Sequence, residues 1–433
     1  MQRLPGVRAA SGVLAVFALG SAAPLSSNAA PAFVEKGPAG QAMFRSSTSL
    51  VEVDVIVKDK DGRFVSGLTS DDFEVLEEGK PQRIQHFYLV TEHPTTASEP
   101  RAEVFLPRAP DQTGRRVFVF MFDSEHLSVA TLVRLKQSAM DFVTAQLGRG
   151  DLGGVFTNGG LVHGRLTNDR QELLDAIRSA TPAFETPEDR MRALRDFPRI
   201  DSEFEAIQID RSDKTMLTDA GARNCAESVQ ECALAGGREF VEDALERKAR
   251  RYVADEQRSA ASTVEALTYV IRNLSRLEGR KTLLLMSEGI FFDEVRGMLP
   301  VVAGQAARAG ITIYSLDARG TAAAGNRAPP DASLRTAGLG TFGDTRDEGL
   351  DVLSAETGGV TFRHSDDFRR ALNDVASDTS TYYVLAYSPE NTTMDGKFRR
   401  IALRVKWEGV TVRARRGYVA TPLPAPKAVR TGK

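Results

Sequence analysis

The chain has 433 residues, 42% of them hydrophobic and 26% charged, and a formal net charge of -2 at pH 7. That length suits two or three domains, and the composition is that of an ordinary globular protein. A charge balance this close to neutral excludes a broad basic face for nucleic acid.

Arg3 and Arg8 open the chain and precede an apolar, small-residue run over 11–23. Ser27-Asn28-Ala29 follows as a small-x-small cleavage site, so residues 1–29 read as a signal peptide and the protein as exported, periplasmic or secreted. The apolar run falls short of the ~20 residues that a spanning helix needs. Cys225 and Cys232 are the two cysteines. In an exported chain an isolated pair favours a disulfide over free thiols, and two thiolates alone make a poor zinc site.

Residues 46–92 form an N-terminal β segment. Val51, Val53, Val55 and Val57 alternate with polar residues, the pattern of a half-buried strand. Asp61-Gly62 signals a hairpin turn. Further strands are expected over 73–76 and 84–90, separated by Gly79-Lys80-Pro81, before a connector over 92–113. The pattern then changes to alternating strand and helix. The apolar runs 117–122, 282–286 and 311–316 suit central strands covered on both faces. The first stops at Asp123, the second at Ser287-Glu288-Gly289 and the third at Asp317. Residues 154–157 and 161–166 suggest a strand and a short neighbour, and 360–362 an edge strand. Ser128, Asn168 with Gln171, and Ser365 are placed to cap the helices between them. The expected fold class is α/β: a doubly wound, mostly parallel sheet over 114–379.

Two segments interrupt it. Residues 185–260 hold 18 acidic and 13 basic residues and both cysteines, and read as a helical charged insertion too polar for a core of its own. Residues 321–348 read as a loop. From 380 to 420 the chain returns to β, with Ile401, Leu403, Val405 and Trp407 alternating with Ala402, Arg404 and Lys406. Isolated hairpins are marginal in water, so this C-terminal segment is expected to pack with the N-terminal one as a small β-rich domain. Residues 421–433 read as a disordered tail.

The order of elements over 116–379 resembles a von Willebrand factor type A domain. The likeness is greatest to the exported, von Willebrand factor A-related proteins of the acidobacterial type. It rests on Asp61-Gly62-Arg63, Asp72-Phe73-Glu74-Val75, Tyr314-Ser315-Leu316-Asp317, Glu356-Thr357-Gly358-Gly359 and Tyr382-Tyr383-Val384-Leu385-Ala386-Tyr387. The resemblance implies a protein-binding or adhesion-type module, not an enzyme, engaging a partner through a metal-ion-dependent adhesion site. That site begins Asp-x-Ser-x-Ser in the family. Here Asp123 fills the first position, but Glu125 and Leu127 replace the serines, and Glu288 replaces a later Asp. The implied site is therefore degenerate, with Asp123, Glu125 and Glu288 as ligands and Mg²⁺ or Ca²⁺ as the ion. Thr181 or Thr186 would supply the second loop. The competing reading has Asp123 and Glu288 capping helices and satisfying loop amides. Asp317, one strand further out, is a poorer candidate.

The five histidines, His86, His93, His126, His163 and His364, show no zinc spacing. Ser124 and His126 invite a hydrolase reading, but no Gly-x-Ser-x-Gly elbow surrounds Ser124. A metal-free structural scaffold of the cell envelope is the other alternative. Arg399, Arg400, Arg404, Arg413, Arg415 and Arg416 would give either a solvated strand face or a contact for an anionic envelope surface. The partner expected at the top face, with the charged insertion beside it, is a protein.

Overall fold

The computed structural model describes residues 50–91, 116–148, 150–277, 279–290, 295–319, 345–363 and 367–422. The expected signal peptide, the connector over 92–113, the loop up to 344, the tail from 423, and His93, His364 and Ser365 lie outside the described residues.

Period-2 alternation builds β1 (Val51–Lys58), whose four alternating valines are buried. The chain turns at Gly62, which takes φ +79°, and continues into β2 (Phe73–Glu77), β3 (Lys80–Gln82) and β4 (Ile84–Thr91). The short β3 lies where the sequence suggests only a separator. β5 (Val117–Phe122) is buried along its whole length. Ser128 caps α1 (Val129–Gln146) by accepting from the Thr131 amide. β6 (Leu152–Thr157), β7 (Gly160–Leu161) and α2 (Arg170–Ser179) follow. β7 stops after two residues, because the chain bends into a 3-10 turn over Val162–Gly164 instead of extending to 166. The α2 cap is Asp169, not Asn168: its carboxylate accepts from the amides of Gln171 and Glu172.

The insertion supplies α3 (Pro187–Arg195), α4 (Glu203–Asp210), α5 (Lys214–Glu227), α6 (Val229–Leu234) and α7 (Arg238–Leu274). The remaining elements are β8 (Lys281–Ser287), α8 (Leu299–Arg308), β9 (Ile311–Asp317), α9 (Thr345–Thr357), β10 (Thr361–Phe362) and α10 (Phe368–Ser380). Asp367 caps α10 through the Arg370 amide. The chain ends in β11 (Thr381–Tyr387), β12 (Phe398–Val405), β13 (Thr411–Ala414) and β14 (Gly417–Val419). Trp407 lies beyond β12 and is exposed.

The central sheet runs β10-β9-β8-β5-β6-β7 and is parallel except for β7. The fold class is therefore α/β with a mixed, largely parallel sheet. One face packs on α7, α8 and α9 through Leu267, Ile271, Val302 and Leu350. The other packs on α1, α2 and α10 through Leu135, Phe142, Ile177 and Leu372. Two further four-stranded sheets, β13-β1-β11-β4 and β14-β12-β2-β3, interleave strands from both ends of the chain. They enclose one core containing Val53, Val55, Phe73, Val75, Tyr383, Tyr387 and Ile401.

The insertion does have a core. Leu194, Ile200, Ile209, Val241, Leu245 and Val253 pack together beneath its charged exterior. Charge dominates its composition, but the apolar residues recur at helical spacing, so each helix hides one stripe. α7 is 37 residues long, about 55 Å of helix. Its first half belongs to the insertion core and its second half to the central sheet. The insertion is thus an outgrowth of a core helix, which runs unbroken through residue 260 while its packing passes from one core to the other.

Candidate functional site

The carboxyl ends of β5 and β8 lie side by side, with the Asp123 amide donating to Met286 O at 3.0 Å. Beyond β5 the chain makes a 3-10 turn over Ser124–His126, which folds the His126 ring back onto the Asp123 carboxylate. His126 Nδ1 lies 2.9 Å from Asp123 Oδ2. Ser287 Oγ, at the end of β8, donates to the same oxygen at 2.8 Å. Thr263 Oγ1, on α7, donates to Asp123 Oδ1 at 2.7 Å. Asn158, in the turn after β6, extends the network by donating from Nδ2 to Thr263 Oγ1 at 3.1 Å, while Ser124 Oγ donates to Asn158 Oδ1 at 3.2 Å.

Asp123, His126, Thr263 and Ser287 are all fully buried. Burial pushes the Asp123 carboxyl up, but the adjacent His126 and hydrogen bonds from His126, Thr263 and Ser287 outweigh it and hold the group below the usual carboxylate range. An ionised carboxylate only accepts, so Nδ1 of His126 must carry the proton between them. Nε2 of His126 is buried without a hydrogen-bond partner.

The insertion roofs this cluster. Just before it, the Ala183 amide donates to Ser124 O at 3.0 Å. Arg190, in the first turn of α3, donates from Nη2 to Glu125 O at 3.1 Å and from Nη1 to Glu185 O at 3.0 Å. Its Nε lies 2.7 Å from Glu256 Oε1 on α7, with side-chain exposures of 4% and 1%. An ion pair this dry holds its geometry, because either partner alone would be an uncompensated buried charge.

The residues expected as metal ligands are placed differently from one another. Asp123 accepts three side-chain donors on its two oxygens. Glu288 Oε1 instead accepts from Ser128 Oγ at 2.8 Å and from the Ser128 amide at 3.3 Å, placing negative charge at the N-terminus of α1. Glu125 is partly exposed and enters the network through its main-chain carbonyl. Leu127 is in the core. Among the described residues no three His, Cys, Asp or Glu side chains converge as an ion would require. These donors and carboxylates do not fit a divalent ion as they stand. Thr186 caps α3, and the threonine that meets Asp123 is Thr263. Asp317 is held by Arg319, with Nη2 2.7 Å from Oδ2. Ser124 bonds Asn158 and forms no pair with His126.

Cys225 and Cys232 form a disulfide in the insertion, with sulfurs 1.98 Å apart. No helix among the described residues is long and apolar enough to cross a membrane. Five of the six C-terminal arginines engage other groups, and Arg400 is exposed. Arg399 pairs with Asp395, Arg404 with Glu74, Arg413 with Asp378 and Arg416 with Glu356, while Arg415 is spent on the carbonyls of Ala307 and Glu52.

No protein-family model matches the chain, and no curated protein is significantly similar to it.

Proposed function

We propose that the chain is an exported, von Willebrand factor A-like protein-binding module. It presents the carboxyl edge of its parallel sheet, and the helical insertion rising from it, to a protein partner without a metal ion in the contact. One observation carries this reading: Asp123, at the position where an adhesion site would hold its ion, accepts Thr263, His126 and Ser287 instead. Three donors from three elements satisfy the carboxylate and join the insertion's long helix to the sheet edge. The edge is then a rigid base, and the surface left for recognition is the insertion. The sheet order supports the von Willebrand factor A likeness, and the disulfide supports export.

A metal-free envelope scaffold is the second reading, favoured by the same saturated carboxylate. The two differ in whether one partner dominates. A photo-crosslinking residue at Glu188 on α3 is expected to capture one discrete protein in the cell of origin, and one at Lys397 in the β-rich domain none. No discrete product from Glu188, or an equal one from Lys397, rejects the assignment to this edge. Titration with Mg²⁺ and Ca²⁺ is expected to leave the unfolding midpoint unchanged. An upward shift abolished by Asp123→Ala would restore the ion to the site.

A further inference from the structure

The corner of the insertion where α6 meets α7 exposes apolar side chains that its own core does not use. Val241, Leu245 and Ala249 point inward from α7 at i, i+4, i+8, and Cys232 points inward from α6. Opposite them, Val229 is 70%, Leu234 81% and Phe240 60% exposed. Large apolar side chains scattered singly on a surface are ordinary, but three within twelve residues on one corner are not. The corner is also rigid. The Cys225–Cys232 disulfide ties α5 to α6, and the Gly237 amide donates to Cys232 O at 2.9 Å. The Phe240 ring lies against Gly236, where an added Cβ would sit 2.8 Å from Cδ2.

The charge on this segment is mostly negative. Residues 227–243 contain Glu227, Glu231, Glu239, Glu242 and Asp243 against Arg238 alone, a local balance of five negative to one positive. Arg238 is itself paired with Glu242 at 2.7 Å, and Arg199 reaches in to Glu227. Glu231, Glu239 and Asp243 are exposed on the rim.

We propose that this corner is a docking surface for a basic amphipathic helix of a partner protein. The helix would lay its apolar face on Val229, Leu234 and Phe240 and its lysines or arginines against Glu231, Glu239 and Asp243. The proposal rests on the protein-binding reading above and names the element and the partner chemistry. Aromatic and aliphatic side chains held in place before contact lose little freedom on binding, and a charged rim selects the partner's sign. The acidic rim also repels an anionic membrane surface.

The test uses the full oxidised chain and two labelled synthetic helices with the same leucine face, one otherwise lysine and one glutamate, followed by fluorescence anisotropy. The lysine helix is expected to bind and the glutamate helix not. Leu234→Ser with Phe240→Ser should weaken binding at least about tenfold, as loss of central apolar anchors does. Glu239→Lys with Asp243→Lys should reverse the preference toward the glutamate helix. Both pairs are exposed, so retained circular dichroism is expected. Equal binding of the two helices, or binding unchanged in the serine variant, overturns the proposal. So does a dimer of the chain that the serine variant dissolves, since the occupant would then be a second copy. Failure here leaves the crosslinking from Glu188 untouched, so the two readings fail separately.

Discussion

Thr263 and Asp123 are 140 positions apart in sequence, yet the threonine hydroxyl lies 2.7 Å from the Asp123 carboxylate with both side chains fully buried. The bond joins the middle of α7 to the end of β5. Thr263→Val keeps the shape and removes the donor, leaving one carboxylate oxygen unsatisfied. A loss of about 1–3 kcal/mol is expected, the desolvation cost of a buried acceptor left without its partner. Thr263→Ser should retain most of the stability. The midpoint of denaturant unfolding checks both, and a valine variant as stable as the parent would show that Thr263 packs without bonding.

The Arg190–Glu256 pair holds α3 and α7 together above the Ser124–His126 turn. Removing one partner strands a buried charge. Arg190→Met or Glu256→Leu alone should therefore cost about 3–5 kcal/mol. The double variant should recover a large part of that loss, because two apolar side chains need no mutual charge. A double-mutant cycle in urea measures the coupling. Losses that simply add would mean that solvent reaches the pair when one side is removed.

Asp123 gives the network a pH dependence with a definite sign. Its carboxyl is held below the usual carboxylate range in the folded chain, so folding binds fewer protons there than unfolding does. The stabilisation is complete above the unfolded value of about 3.9 and is lost as pH falls through the folded one. The difference in unfolding free energy between parent and Asp123→Asn should therefore be steady just above about pH 5 and narrow below about pH 4. A difference that stays constant on the acid side would mean that Asp123 is already protonated in the folded state.

Much of this arrangement was legible in the sequence, and the missing part has a physical reason. Apolar runs ending at Asp123, Ser287 and Asp317 mark central strands and their carboxyl edge, because burial on both faces confines charged side chains to the strand ends and leaves few polar positions between them. The four valines of β1 show their face by alternation. Thr263 gave a fainter signal, as a hydroxyl on the same helical stripe as Ala260, Leu267 and Val270. Local patterning says that such a residue is buried, but not what it meets. The core of the insertion was hidden for a related reason: composition averages over a helix, and the stripe through Val241, Leu245 and Ala249 is visible only at a period of 3.6. The Asn168 and Ser365 caps missed by one and two residues because Asp169 and Asp367 compete for the same amides. The carboxylates gave the weakest guide. Asp123 and Glu288 end adjacent strands, but side-chain direction sends one to His126 and the other to Ser128.

Gly359 tests how tightly the C-terminal end of α9 is set against the central sheet. It follows Glu356-Thr357-Gly358, and a Cβ built on it would lie 1.8 Å from the carbonyl oxygen of Ile313 in β9. That neighbour is backbone in the middle of a strand, so it has no rotamer with which to yield. Thr357 Oγ1 accepts from the Ile313 amide at 2.9 Å, fixing the same residue through its neighbouring peptide. Gly359→Ala should therefore cost at least the ~1–3 kcal/mol typical of overpacking. Gly62→Ala provides the contrast. Its φ of +79° strains an alanine, but nothing lies within 4 Å, so only the conformational cost of about 1–2 kcal/mol applies. Gly304→Ala should fall between, since its nearest neighbours are the Val419 and Phe398 side chains, which can turn aside. Thermal midpoints ordered Gly62→Ala, Gly304→Ala, Gly359→Ala from highest to lowest would support the close approach. A Gly359→Ala midpoint equal to the parent's would show that α9 can lift away from β9 without loss.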